Sequence, residues 1–109
     1  MDVVVLSSKP LQPTQRQAIE QRVLQVTQRM AGLLRRATVR IRDLSGSKGT
    51  LVQQCQIQLS TERGGVVVVS HRSAHWLNSL DMALSRARVA LKQRVGLNKK
   101  GSPRLNDGD

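Results

Sequence analysis

Arginine carries most of the chemistry this sequence can do. The stretch "TVRIRD", residues 38–43, has the alternation of a β-strand. Successive side chains on a strand point to opposite faces, so Val39 and Ile41 share one side while Thr38, Arg40 and Arg42 share the other. A guanidinium is a permanently charged planar fork whose donors match phosphate oxygens two at a time. The same residue type recurs at helical spacing. Arg22, Arg29 and Arg36 stand seven apart and drift only about 20° per step, forming one stripe beside the apolar face of a first helix. On a second helix Arg88 and Lys92 share a flank, Arg94 lies on the other side, and Arg86 points outward. These nine residues, Arg22, Arg29, Arg36, Arg40, Arg42, Arg86, Arg88, Lys92 and Arg94, are the candidate RNA-binding set.

The totals support a polyanionic partner. Eighteen Lys and Arg against seven Asp and Glu leave a net charge of +11 in 109 residues, and thirteen of the eighteen cations are Arg. A solvated helix usually interleaves acids with bases at i,i+4. Here Glu20 and Asp81 are almost the only acids available to either helix. Cations spread over folded elements point to nucleic acid rather than to a membrane surface, which a single polybasic block would favour. Phosphate contact releases counterions, so a footprint of about five to eight cations gives a steep salt dependence. The chain has one Trp and no Tyr or Phe. Base stacking on an aromatic sheet is thereby excluded, and structured RNA read through shape and backbone fits better.

Other chemistries find little support. His71 and His75 are four apart, but Arg72 intervenes, Ser73 is placed to begin the helix after His71, and a third metal ligand is missing. Cys55 falls on an apolar strand face and reads as a small core residue with a protonated thiol. Ser70, His71 and Asp81 lack the glycine pattern of a nucleophile elbow, and "SGSKG" (45–49) lacks the full phosphate-loop spacing. We expect no enzyme, no metal, no cofactor and no small-molecule substrate. A single Cys excludes an internal disulfide. The start "MDVVVLSSKP" is no signal peptide, and the aliphatic run "VVVV" at 66–69 is far too short to cross a bilayer. A cytoplasmic protein is expected.

The elements that must position these residues follow from periodicity. "DVVVL" (2–6) reads as a strand closed by Pro10. Residues 12–36 read as a helix, with Pro13 in its first turn, Thr14 and Gln17 at capping-box spacing, and an apolar stripe of Ile19, Val23, Val26, Met30 and Leu33. Strands follow at 37–44 and 51–62, the latter with Cys55, Ile57 and Leu59 on one face and Gln54, Gln56, Gln58 and Ser60 on the other. "RGG" (63–65) is hairpin chemistry leading to a strand at 66–71, whose unalternating valines suggest a central position or cover on both faces. A second helix spans 73–96, capped by Ser73 and ended by Gly96, with Leu77, Leu80, Leu84, Ala87, Leu91 and Val95 buried. The order β-α-β-β-β-α predicts an α+β two-layer sandwich, a four-stranded sheet with two helices on one face. The opposite sheet face would carry Arg40, Arg42 and the glutamine row. One domain is expected over 1–96, followed by a disordered basic and polar tail over 97–109. Trp76 reads as a packing anchor at the start of the second helix.

This order, the strand–Gly–strand hairpin and the closing basic helix together resemble the bacterial ribosome hibernation-promoting factor and ribosome-associated inhibitor family. The resemblance covers about residues 1–96 and runs best through "HWLNSLDMALSRARVALKQRV", where Leu80-Asp81 stands for the family's Ile-Asp and "SRARVALKQ" for its basic continuation. The family's Tyr near the helix start is replaced by Leu77 or Trp76, and Lys is largely exchanged for Arg. Without the dimerisation domain found in one branch, the chain looks like a short-type member. The resemblance implies a partner, the rRNA of the small ribosomal subunit, and a place in its decoding channel where translation is blocked. The residues alone leave two alternatives, a generic double-stranded nucleic-acid-binding module and a protein-interaction module docking an acidic partner. Oligomeric state stays open.

Overall fold

The structure, a computed structural model, describes residues 1–45 and 49–100. Its elements are β1 (Asp2–Ser7), α1 (Pro13–Thr27), a 3-10 turn (Gln28–Leu33), β2 (Leu34–Ser45), β3 (Leu51–Thr61), β4 (Val66–Ser73) and α2 (Trp76–Lys100). The strands lie in the order β1-β2-β3-β4, with β1 parallel to β2 and the other pairs antiparallel. This is the expected two-layer α+β sandwich. Alternation along each strand gives the sheet one buried face, made by Val5, Ala37, Val39, Ile41, Cys55, Ile57, Leu59 and Val67. Both helices cover that face. Ile19 and Val23 of α1 and Leu80, Ala83, Leu84, Ala87 and Leu91 of α2 complete one core.

The sequence expectation fails at four places, each for a physical reason. The first helix stops at Thr27 instead of running to residue 36. Thr27 turns its hydroxyl back onto the Val23 carbonyl at 2.7 Å, and Gly32 lies in the next turn, where its backbone freedom disfavours α-helix. The chain tightens into 3-10 geometry and enters β2 at Leu34, so Arg35 and Arg36 belong to a strand. Leu34 is buried in place of Leu33, which is exposed. At the start of α1 the partners are Gln12 and Gln15, not Thr14 and Gln17. The Gln12 N–H donates to Gln15 Oε1 at 3.1 Å, with Pro13 as the first helical residue.

The third departure is β4, which is an edge strand rather than a central one. Its four valines do alternate. Val67 faces the core and Val69 packs against it, while Val66 and Val68 are exposed. A homopolymeric run cannot show its period in the sequence, because both faces carry the same residue. The fourth concerns α2. Ser73 ends β4 instead of capping the helix, and α2 continues through Gly96 to Lys100, so residues 97–100 of the expected tail are helical. His75 takes the cap position: its carbonyl accepts from the Ser79 N–H at 3.1 Å, and its Nδ1 accepts from the Leu77 N–H at 3.3 Å. Residues 101–109 lie outside the described residues, as do residues 46–48 of the expected 45–49 loop.

The β3–β4 hairpin turns where expected. Gly64 has φ of 89°, a left-handed conformation open to glycine and costly for other residues. Gly64→Ala is expected to destabilise the fold by roughly 1–2 kcal/mol in urea unfolding, because the strain falls on the native backbone alone. An unchanged midpoint would show that the loop relaxes freely.

Candidate nucleic-acid interface

The open face of the sheet gathers four arginines. Arg36, Arg40 and Arg42 project from β2 away from the core, and all three are exposed. The register then extends each row across the sheet. Arg40 lies opposite Gln56, which lies opposite Ser70; Arg42 lies opposite Gln54, which lies opposite Arg72. Arg72 is therefore on the same face as Arg42, two strands away at about 10 Å. The sequence reading missed Arg72 because the valine run hid the alternation of β4. Counting forward in steps of two from Val68 on the open face, through Ser70, reaches it. None of the four side chains forms an ion pair or hydrogen bond among the described residues, and the one acid on this face is Asp2, opposite Arg36 at its far end. Gln54, Gln56 and Gln58 line the middle of the face, half-buried between neighbouring side chains.

A second group follows the seam between the helices. Arg22 of α1 forks onto Asp81 of α2, Nε to Oδ1 at 3.3 Å and Nη2 to Oδ2 at 3.4 Å. The two side chains are 43% and 46% exposed, so solvent screening leaves the pair worth at most about 1 kcal/mol. Its value here is as a marker: the strip of α2 carrying Asp81 faces α1. Arg88 and Lys92 stand seven and eleven residues beyond Asp81, within about 20° of the same direction, and both are exposed. Arg29 lies in the 3-10 turn beyond the end of α1 and is also exposed. The expected stripe Arg22–Arg29–Arg36 is thus divided among a helix, a turn and a strand, because α1 ends early.

Two further helix arginines serve the sheet edges. Arg86 of α2 donates from Nη1 to the Ser70 carbonyl on β4 at 3.3 Å, and Arg16 of α1 donates from Nη1 to the Val5 carbonyl on β1 at 3.2 Å. These are the two edge strands, whose free carbonyls are otherwise templates for strand addition. Arg94 reaches the hairpin, where its guanidinium occupies the space that a Cβ on Gly65 would need. Of the nine candidate residues, then, three lie on the open sheet, four along the helix seam, and two at the β4 edge and hairpin.

A polar network ties the end of the sheet to α2. Lys9 Nζ lies 2.8 Å from Asp43 Oδ2, and Gln53 Nε2 donates to Asp43 Oδ1 at 2.9 Å. The same Gln53 accepts the Trp76 N–H on Oε1 at 2.7 Å, while its carbonyl accepts the Ser79 hydroxyl at 2.8 Å. A residue of β3 thus satisfies an orphan donor of the α2 N-terminus. Trp76 packs against the core and stacks on His75 at 6.0 Å between ring centroids. The hydrogen bond from Lys9, then that from Gln53, holds the Asp43 carboxyl below its ordinary value of 3.8. A depressed carboxylate contributes stability above its unfolded value, and that contribution is lost as pH falls through the folded one. Asp43→Asn should therefore flatten the acid limb of a stability-versus-pH curve below pH 3.8, relative to wild type. Parallel acid limbs would remove Asp43 from the account.

The remaining chemical candidates are accounted for structurally. Cys55 is fully buried on β3, and burial pushes its thiol up to about 12. His71 sits on β4 and His75 in the turn before α2, so the two do not share a helix face. No helix among the described residues is long and apolar enough to cross a membrane.

The geometry defines a class: a small α+β sandwich with a bare, arginine-bearing sheet face and a basic seam between its helices. Solved structures with this fold carry it further. The chain is similar to the N-terminal domain of Protein Y from Thermus thermophilus, with a TM-score of 0.66 and 22% identity over 85% of this chain and 98% of that one. It is similar also to a ribosomal subunit interface protein from Coxiella burnetii, with a TM-score of 0.74 and 10% identity over 88% and 99% of the two chains. No protein-family model and no curated protein sequence matches the chain. At these identities the shared property is the fold, and at that level the resemblance read from the sequence is borne out.

Proposed function

We propose that this chain is a non-enzymatic ribosome-associated protein of the hibernation-factor type, which occupies the decoding channel of the small subunit, contacts its rRNA and inhibits translation in the cytoplasm. The observation that carries this reading is the pairing of an unneutralised cationic surface with a fold found in a ribosomal subunit interface protein. Arg29, Arg88 and Lys92 on the seam and Arg36, Arg40, Arg42 and Arg72 on the sheet supply seven exposed cations for phosphate. Arg22 is committed to Asp81, and Arg86 and Arg94 to the β4 edge and the hairpin; these three serve chiefly to hold the platform.

The test is sedimentation with purified ribosomal particles over a salt series, together with in vitro translation. The protein should pellet with small subunits, leave them steeply as salt rises, and suppress translation at stoichiometric amounts. Equal affinity for a bare RNA duplex, with translation unaffected, would favour a generic duplex-binding module. A complex from lysate that survives nuclease digestion would favour an acidic protein partner.

A further inference from the structure

The sequence suggested one cationic surface running from helices to sheet. The folded chain separates them. Arg40 and Arg42 leave β2 on the side opposite Val39 and Ile41, and those residues face the core that the helices cover. Arg88 and Lys92 leave α2 on its α1-facing flank, in the helix layer that lies across that same core from the open sheet face. Between the two groups lie Val39, Ile57 and Leu84, all buried. A stiff duplex resting on one face cannot reach round the body to the other.

We propose that the sheet face and the helix seam are two independent RNA-binding sites, and that one molecule of this protein bridges two separate RNA segments. The proposal rests on the RNA-binding reading above and adds its valency and geometry. Three observations carry it. First, the sheet arginines have no ion-pair partners among the described residues, so their charge needs an external counterpart of its own. Second, the seam has its only neutralised member in Arg22, leaving Arg29, Arg88 and Lys92 for a different counterpart. Third, the sheet face is laid out for a backbone. Arg40 and Arg42 are two residues apart on one strand, about 6.7 Å, so their guanidiniums can meet neighbouring phosphates of one backbone. Arg72 widens the row across Gln54, whose amide can reach ribose hydroxyls.

The two sites place like charge on both sides of a thin body; the shortest extent of the backbone is 20 Å. One polyanion on one face leaves the charge of the other face uncompensated. Filling both removes that repulsion, so the second RNA is not penalised by the first through the protein.

The experiment uses the full chain and a 20-base-pair RNA duplex prepared in two batches, one with a donor dye and one with an acceptor. In dilute buffer, sedimentation velocity with duplex in excess should give two duplexes per protein, and mixed batches should show energy transfer that depends on protein. Arg40→Gln/Arg42→Gln/Arg72→Gln and Arg88→Gln/Lys92→Gln change exposed positions only, and circular dichroism checks that each folds. Each variant should stop at one duplex and lose energy transfer, while affinity for that first duplex falls less than about tenfold. Saturation of the wild type at one duplex, or unaltered energy transfer in the sheet variant, would overturn the proposal while leaving ribosome binding intact. Absence of any duplex or ribosome binding by the wild type would remove the underlying reading as well.

Discussion

Under the proposed ribosomal role, charge reversal at Arg88 and Lys92 is expected to weaken small-subunit binding by at least about a hundredfold near physiological salt, without lowering the melting temperature. Each lost phosphate contact removes about 0.9 from the slope of log affinity against log salt, so the double reversal should flatten that slope by nearly 2. Repulsion from the two new carboxylates adds to the loss at low salt, where screening is weakest. Both side chains are exposed, so the fold has no reason to respond. Arg22 supplies the contrast. Because its fork already holds Asp81, Arg22→Gln should change binding less than about threefold and cost stability no more than about 1 kcal/mol. Equal losses from Arg22 and from the Arg88–Lys92 pair would mean that the Arg22–Asp81 contact opens on binding, and the division of the seam proposed here would fail.

That division was invisible in the sequence, although the fold class was not. Period-two alternation at 51–61 and the apolar stripe Leu80, Leu84, Ala87 and Leu91 each report a local rule, and the residues of both turn to the core as the rule requires. Boundaries depend on competition between rules. Residues 28–36 contain good helix formers, yet the β-prone segment that follows pairs with β3 along its length and with β1 from Arg36 to Ile41, and that pairing claims Leu34–Arg36. Tertiary hydrogen bonding outweighed propensity there. Gln53 was equally hidden. Its role as acceptor for the Trp76 N–H, 23 residues away, follows from the approach of β3 to the start of α2, and no local signal announces that.

The charges sort by the same logic. From the sequence eight of the thirteen arginines read as one candidate binding set. In the fold, Arg16 and Arg86 close the carbonyls of the two edge strands, Arg22 joins the helices, and Arg94 covers the hairpin. Cations spent on the scaffold keep the sheet from adding strands to itself, which matters for a bare sheet with Val66 and Val68 exposed near one edge. The chain therefore uses part of its arginine charge to close its own sheet edges and presents the remainder outward. Net charge alone overstates the footprint.

Truncation of Ile57 should be the most damaging single change to stability. Ile57 sits at the middle of β3, fully buried, opposite Val39 on β2 and Val69 on β4. The core around it holds no Phe or Tyr, so burial is spread over aliphatic groups of similar size. Ile→Ala removes three carbons and leaves a cavity that a central strand, paired on both sides, cannot close by moving. The cost is about 3–4 kcal/mol, from lost transfer energy and the cavity together. A domain of this size holds roughly 5–15 kcal/mol in all, so between about a fifth and about four fifths of it would go. Val68→Thr on edge strand β4 is the control. Its side chain is 52% exposed on the open face, and threonine suits a strand, so a change within about 0.5 kcal/mol is expected. Urea unfolding of the two variants separates the faces of the sheet: comparable losses would mean that the open face is covered in the native protein, and with it the arginines proposed to meet RNA.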